Sequence, residues 1–301
     1  MLVAGFGSVV VDTLMIADEI RANHKNRVVH QAIQVGGVIP TALIVLSRLG
    51  VKTQMHTTIG DDLFGEALLA IFQKEGVGLG TIIKIKNTET PLAFVVIHKK
   101  TGNRTSFYTT GSFPTTADHS FADVLKNKPQ YLLVDGHNQD GTFSFIKKAK
   151  KTNTKVLLDL GSPKRGMDRL ISEVDAVIVP QAFSSTMWPS QKPEEIIRNV
   201  LSSGPTLVVH TMEEKGCIVG QKNELLYQPS FTVKAVDTNG AGDFFFGSFT
   251  YGLLNQWTLK KTAEFAAAAA AFSCTKIGKD AKIPRSENEI LTFIKTHTTA
   301  S

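Results

Sequence analysis

The chain has 301 residues, 42% hydrophobic and 20% charged, which is ample for a core in one domain or two small ones. No apolar run reaches the roughly 18 residues of a transmembrane helix, Met1-Leu2-Val3-Ala4-Gly5 lacks the basic leader of a secretory signal, and the scattered lysines behind the net charge of +6 form no aromatic-interleaved stripe for nucleic acid. Cys217 and Cys274 stand far apart without metal-type spacing, so neither a disulfide framework nor a metal centre is expected, and a cytoplasmic location is.

Leu2 to Val11 is apolar and reads as a buried first strand, with Asp12 at its carboxyl end, where open parallel sheets bind ligands. Gly5-Phe6-Gly7 is not a dinucleotide fingerprint, because Val10 stands where the third glycine belongs. Val28 to Val35 alternates loosely, as a projecting strand does. After Gly36-Gly37, Pro40 suits a first helical position, and the helix runs to a Gly50 stop. Gly60-Asp61-Asp62-x-x-Gly65 opens the next helix, with Leu63, Leu68, Leu69, Ile71 and Phe72 on its buried side. Leu92–Ile97 and Arg104–Thr109 form a hairpin across His98 to Asn103.

From Tyr131 the pattern becomes regular. Apolar strands at Tyr131–Val134, Val156–Leu160, Ala176–Val179 and Leu207–Val209 alternate with helical segments, the pattern of βαβ units and a parallel sheet. Cys217–Val219, Leu225–Tyr227 and Phe231–Ala235 read as short antiparallel strands, and Leu259–Cys274 and Ser286–Ile294 as closing helices.

The central stretch is Val236-Asp237-Thr238-Asn239-Gly240-Ala241-Gly242-Asp243. Phe244 to Leu254 is apolar around most of a helical circumference, so Gly240-Ala241-Gly242 makes its first turn. The first N–H groups of a helix have no internal partner and carry the positive end of its dipole, so they attract phosphate. Two glycines let an anion approach the backbone closely. A carboxylate beside a phosphate needs a reason, and general-base work on an attacking hydroxyl supplies one.

The string Asp-Thr-Asn-Gly-Ala-Gly-Asp matches every defined position of the signature of the ribokinase-like (PfkB) carbohydrate kinases, which the chain resembles over nearly its whole length. Gly36-Gly37 with Ser47-Arg48-Leu49-Gly50, Gly60-Asp61-Asp62-x-x-Gly65 and Thr101-Gly102-Asn103-Arg104-Thr105 also resemble family patterns. The resemblance implies a doubly wound, mostly parallel α/β sheet with helices on both faces and a small β-sheet lid. Residues 1–301 then form one kinase domain, with lid strands from about 13–35 and 90–110. It implies ATP-dependent phosphorylation of a sugar hydroxyl with ATP and Mg²⁺, an optional monovalent cation such as K⁺, and a homodimer through the lid. A nucleoside kinase or a non-catalytic nucleotide or sugar sensor of the same fold is the alternative.

By the same resemblance Asp243 is the base and Gly240, Ala241 and Gly242 form the anion hole; no P-loop pattern competes for the phosphate. Sugar contacts fall on Asp12, Gly36, Gly37, Thr41 (in place of the usual asparagine) and Arg104; His137, following Asp135-Gly136 at a strand end, is a further cleft candidate by its position, against a loop histidine. Nucleotide contacts fall on Thr211, Glu213, Gly216, Gly240, Gly242 and Cys274. The family's Asn-x-x-Glu motif reads Gln181-Ala182-Phe183-Ser184, which removes a carboxylate associated with metal. The Leu133–His137 and Asp159–Pro163 segments resemble the ketohexokinase and sulfofructose-kinase side of the family.

Overall fold

A computed structural model describes residues 1–99, 104–111, 125–164, 166–222 and 224–297 of the protein. In chain order the elements are β1 (Leu2–Phe6), β2 (Val10–Ala17), β3 (Val28–Gly36), α1 (Val38–Arg48), β4 (Lys52–Gly60), α2 (Leu63–Lys74), β5 (Gly78–Ile85), β6 (Leu92–His98), β7 (Arg104–Tyr108) and β8 (Tyr131–Val134). There follow α3 (Gln139–Lys150), β9 (Lys155–Asp159), α4 (Asp168–Ile171), β10 (Ala176–Pro180), α5 (Gln181–Met187), α6 (Pro193–Ser202), β11 (Leu207–Thr211), β12 (Cys217–Gln221) and β13 (Glu224–Gln228). The last elements are α7 (Ala241–Leu254), α8 (Leu259–Cys274), α9 (Lys279–Lys282) and α10 (Glu287–Thr296).

The apolar runs become strands covered on both faces, as a parallel sheet requires. The large sheet has nine strands in the order β13-β12-β11-β10-β9-β8-β1-β4-β5. It is parallel from β11 to β5, and β12 and β13 add antiparallel at one edge. Successive side chains along a strand point to opposite faces. Val3, Leu133, Leu157, Ile178 and Val209 therefore pack on one side with α1, α7 and α8. Ala4, Leu132, Val156, Leu158, Val177 and Val208 pack on the other, with Phe145 and Ile146 of α3 and Ile196 and Ile197 of α6. Parallel register brings the carboxyl ends of β1, β8, β9, β10 and β11 to one edge, and the candidate site lies there.

The small sheet has the order β3-β2-β6-β7. Leu14, Ile16, Val95 and Ile97 cover its inner face, with Ala32 packed against them. The outer face carries a row that pairing places side by side: Ile33, Thr13, Phe94 and Phe107. Of these, Ile33 (59%), Phe94 (40%) and Phe107 (63%) are exposed. The hairpin link at 100–103 lies outside the described residues, as does the side chain of Arg104, whose backbone pairs with Ile97.

Several sequence expectations need correction. Leu2–Val11 is not one strand: the chain leaves the large sheet after Phe6 and re-enters order at Val10 in the small one. Asp12 accordingly sits inside β2, opposite Gln34 and Ala93, and not at the carboxyl end of β1. Pro40 is the third helical residue of α1, since Val38 begins the helix. Leu63 is 86% exposed on α2, because the helix buries the stripe through Gly65, Leu68 and Phe72. Phe231–Ala235 makes only an isolated bridge at Phe231. No helix among the described residues is long and apolar enough to cross a membrane.

Candidate active site

The site begins at the left-handed turn that starts α7. Gly240 has φ 80°, a conformation that costs a residue with a Cβ about 1–2 kcal/mol. The turn is closed by Asp243 N–H donating to the Gly240 carbonyl at 2.8 Å and Ala241 N–H to the Thr238 carbonyl at 3.3 Å. The N–H groups of Gly240 and Gly242 have no acceptor among the described residues. A Cβ built on Gly242 would meet nothing within 4 Å, so open space faces the helix start. Of the three amides expected for an anion hole, Ala241's is thus partly engaged and the two glycine amides are free.

Asp243 is half-buried beside this turn. Its carboxyl is pushed up to about 6, chiefly by burial; Lys279 pulls it down, the Asp12 charge pushes it up, the Thr41 hydroxyl pulls it down and Asp135 pushes it up. Those causes place Asp12, Thr41, Lys279 and Asp135 around it. Gly36 and Gly37 leave room for this cluster. A Cβ on Gly36 would lie 2.4 Å from Asp12 Oδ1, and Gly37, at φ 101°, has the Ser8 carbonyl against it.

Lys279 was not singled out in the sequence, yet it is the hub of this cluster. Its ammonium donates to the Thr41 hydroxyl at 2.9 Å and to the Val35 carbonyl, and lies 3.7 Å from Asp12 Oδ2. Thr41 is fully buried; its hydroxyl accepts from Lys279 and donates to the Gly37 carbonyl at 2.8 Å. α9 holds the lysine in place. Its first N–H donates to Gln34 Oε1 at 2.9 Å, and Arg48 reaches from α1 to Asp280 Oδ1 at 2.6 Å. Burial raises the Asp12 carboxyl, with Lys279 opposing.

Further carboxylates follow the neighbouring strands. Asp135, after β8, accepts from Ser8 N–H at 3.1 Å and His137 N–H at 3.0 Å, and lies 3.1 Å from His137 Nδ1. It thereby ties the carboxyl end of β8 to the break between β1 and β2, while His137 itself is half exposed. Asp159 ends β9; burial and the Asp243 charge push it up to about 7, against the Gly161 N–H it accepts. Lys164 Nζ is buried without a hydrogen-bond partner among the described residues, and burial lowers its basicity against the pull of Asp135 and Asp159. Its ammonium is thus held near the carboxylates of Asp135 and Asp159 without a hydrogen bond to either.

The nucleotide candidates lie along the same edge. Thr211 ends β11, and Glu213 starts a tight turn with φ 52°, the left-handed conformation for which a glycine is better suited. Its side chain faces solvent, so it sets no charge against a phosphate in this conformation. Gly216 closes the turn. Cys274 ends α8 and its carbonyl accepts from Val236 N–H (2.8 Å) and Asp237 N–H (3.3 Å), fastening the glycine turn's approach to the helix. At the altered Asn-x-x-Glu position, Ser184 bonds His210 Nε2 at 2.8 Å and donates to the Gln181 carbonyl at 3.1 Å. Among the described residues no group of three or more His, Cys, Asp or Glu forms a metal-binding cluster.

A carboxylate at an open helix start, ringed by buried charge, is the arrangement expected of a small-molecule phosphotransferase site. Comparison with known proteins gives the same class: residues 2–285 match the model of the pfkB family carbohydrate kinases, and the chain belongs to that family. It is a kinase, and kinases of this family use ATP and Mg²⁺. It is 26% identical over 268 residues to a ribokinase of Haemophilus influenzae, covering 86% of this chain and 87% of the relative. It is 23% identical over 287 residues to mouse ketohexokinase, covering 91% and 96%. These similar values do not favour the ketohexokinase side. The Arabidopsis thaliana ribokinase complexed with ribose and ATP superposes with a TM-score of 0.82 at 20% identity over 97% of this chain and 98% of that one. The fold is ribokinase-like.

Proposed function

We propose that the protein transfers the γ-phosphoryl group of ATP to a hydroxyl of a sugar or sugar derivative. The observation that carries this reading is Asp243, poised near neutrality beside the free amides of Gly240 and Gly242. Asp243 takes the proton of the attacking hydroxyl as that oxygen bonds the γ-phosphorus. The bond to the bridging oxygen breaks, and ADP leaves with the electron pair. The helix start holds the transferring oxygens, and Asp12, fixed by Lys279, holds the acceptor's other hydroxyls. Positioning and electrostatics supply most of the rate in such transfers. Mg²⁺ bound with the nucleotide would offset phosphate charge; among the described residues no group of three or more His, Cys, Asp or Glu is placed to hold it. This reading assigns Thr211, Gly216 and Cys274 at the end of α8 to the nucleotide side, and His137 and Arg104 to the acceptor side.

ADP release from Mg-ATP across a panel of pentoses, hexoses, ketoses and nucleosides tests this. Turnover is expected on a sugar, with higher kcat/KM than on any nucleoside. Bound ATP with no turnover on any compound would instead favour a sensor.

The outer row of the small sheet supports a homodimer. Ile33, Phe94 and Phe107 expose an apolar face on this small sheet, an arrangement that proteins usually cover. Light scattering at micromolar concentration is expected to give twice the chain mass, and Phe94→Lys to return it to the monomer. A wild-type monomer contradicts the dimer.

A further inference from the structure

We infer that Lys282 is a built-in monovalent cation for the catalytic turn, so that the enzyme needs no K⁺ from solution. This rests on the kinase reading above, and it concerns a lysine with no direct access to substrate. α9 buries both its lysines, and Lys282 is the deeper at 1% exposed. Its ammonium lies 2.7 Å from Asp237 Oδ2 and donates to the Asn239 carbonyl at 2.8 Å. Asp237 Oδ1 accepts from Asn239 N–H at 2.9 Å. Residues 237–239 therefore close around the ammonium, and the next residue is Gly240. Cys274 holds the entry to this loop from one side, and Lys282 holds its exit from the other.

A carboxylate oxygen and a backbone carbonyl are the oxygen donors that a desolvated monovalent cation takes. Here an ammonium of the same charge already occupies them, tethered to the chain. Burying an ion pair costs desolvation energy that an apolar pair would avoid, so stability alone does not account for it. The charge grips residues 237 and 239, immediately before the Gly240 turn, where a fixed positive charge holds the geometry of the anion hole that this reading places there. Without Lys282, Asp237 and the Asn239 carbonyl keep their places but lose their cation. A free ion of similar size and charge then fits the vacancy.

The test compares wild type, Lys282→Ala and Lys282→Met in NaCl, KCl, NH₄Cl and choline chloride at equal ionic strength. The readouts are kcat, KM for ATP and sugar, ADP affinity and Tm. Wild type is expected to vary by less than about twofold among salts. Lys282→Ala is expected to lose roughly tenfold to a hundredfold in kcat in Na⁺ or choline, the scale of a small misplacement at the reacting centre, with less change in the sugar KM. K⁺ or NH₄⁺ then restores part of kcat and raises the variant's Tm and ADP affinity, and the bulkier methionine blocks that rescue. Strong K⁺ activation of wild type overturns the inference, and so does a Lys282→Ala variant that is fully active in choline. A loss that no cation repairs reduces Lys282 to packing and also overturns it. If the variants fail to fold, the wild-type salt series decides alone. If wild type phosphorylates nothing, the kinase reading has failed, and ADP affinity and Tm still report on the lysine.

Discussion

Asp243→Asn is expected to lower kcat by roughly 10²–10⁴, the usual share of general-base catalysis. The amide keeps the size of the carboxylate and the first turn of α7, so folding should survive. It cannot accept the hydroxyl proton. Because proton transfer belongs to the transition state, kcat and kcat/KM should fall together. ATP affinity should hold or rise, since a negative charge near the phosphates is gone. Single-turnover kinetics with the best sugar checks this; a variant retaining more than about half the wild-type chemical rate removes Asp243 from the base role.

Lys279→Met is expected to cost about 3–5 kcal/mol of stability at pH 8, the cost of leaving a buried charge unpaired. Asp12 and Lys279 are both largely hidden, at 12% and 8% side-chain exposure. The sign of the pH dependence follows from the carboxylates left behind. Lys279 holds the Asp12 and Asp243 carboxyls down against burial, so its loss raises both further above their unfolded values. The native variant then binds protons that the unfolded chain has released, and its stability falls as pH rises through the folded pKa values. The deficit should therefore be smaller at about pH 5 than at pH 8. Denaturant midpoints at the two pH values measure it, and equal deficits at both would remove the lysine from the carboxylate cluster. Sugar KM should rise, because Asp12 loses its anchor.

Legibility in the sequence followed the locality of the signal. The glycine turn and Asp243 lie in one string whose chemistry is complete within seven residues. The strands from β8 to β11 are apolar on both faces and announce themselves. β4 did not, because it carries His56, Thr53 and Thr57 in its interior. These are tolerated in part because His56 accepts from Thr81 N–H at 2.9 Å and Thr57 donates to the Gly7 carbonyl at 2.9 Å. Burial keeps His56 neutral, down at about 4. Lys279 and Lys282 were missed for the opposite reason. Gly278-Lys279-Asp280-Ala281-Lys282 has the composition of a solvated turn. Only contacts with β3, α1 and the 237–239 loop, distant in sequence, turn both ammonium groups inward. Asp12 lies in β2 and not at the end of β1, since nothing local in the sequence marks the exchange of sheets between Phe6 and Val10.

The most direct test of the account is the pH profile of chemistry-limited kcat/KM for wild type beside Asp243→Asn. The base must be unprotonated in the free enzyme, so wild-type kcat/KM should rise with pH through an apparent value of about 6. The residual activity of Asp243→Asn should lack that limb. A wild-type profile flat from about pH 5 to about pH 8, or the same limb retained in Asp243→Asn, would contradict a general base at Asp243.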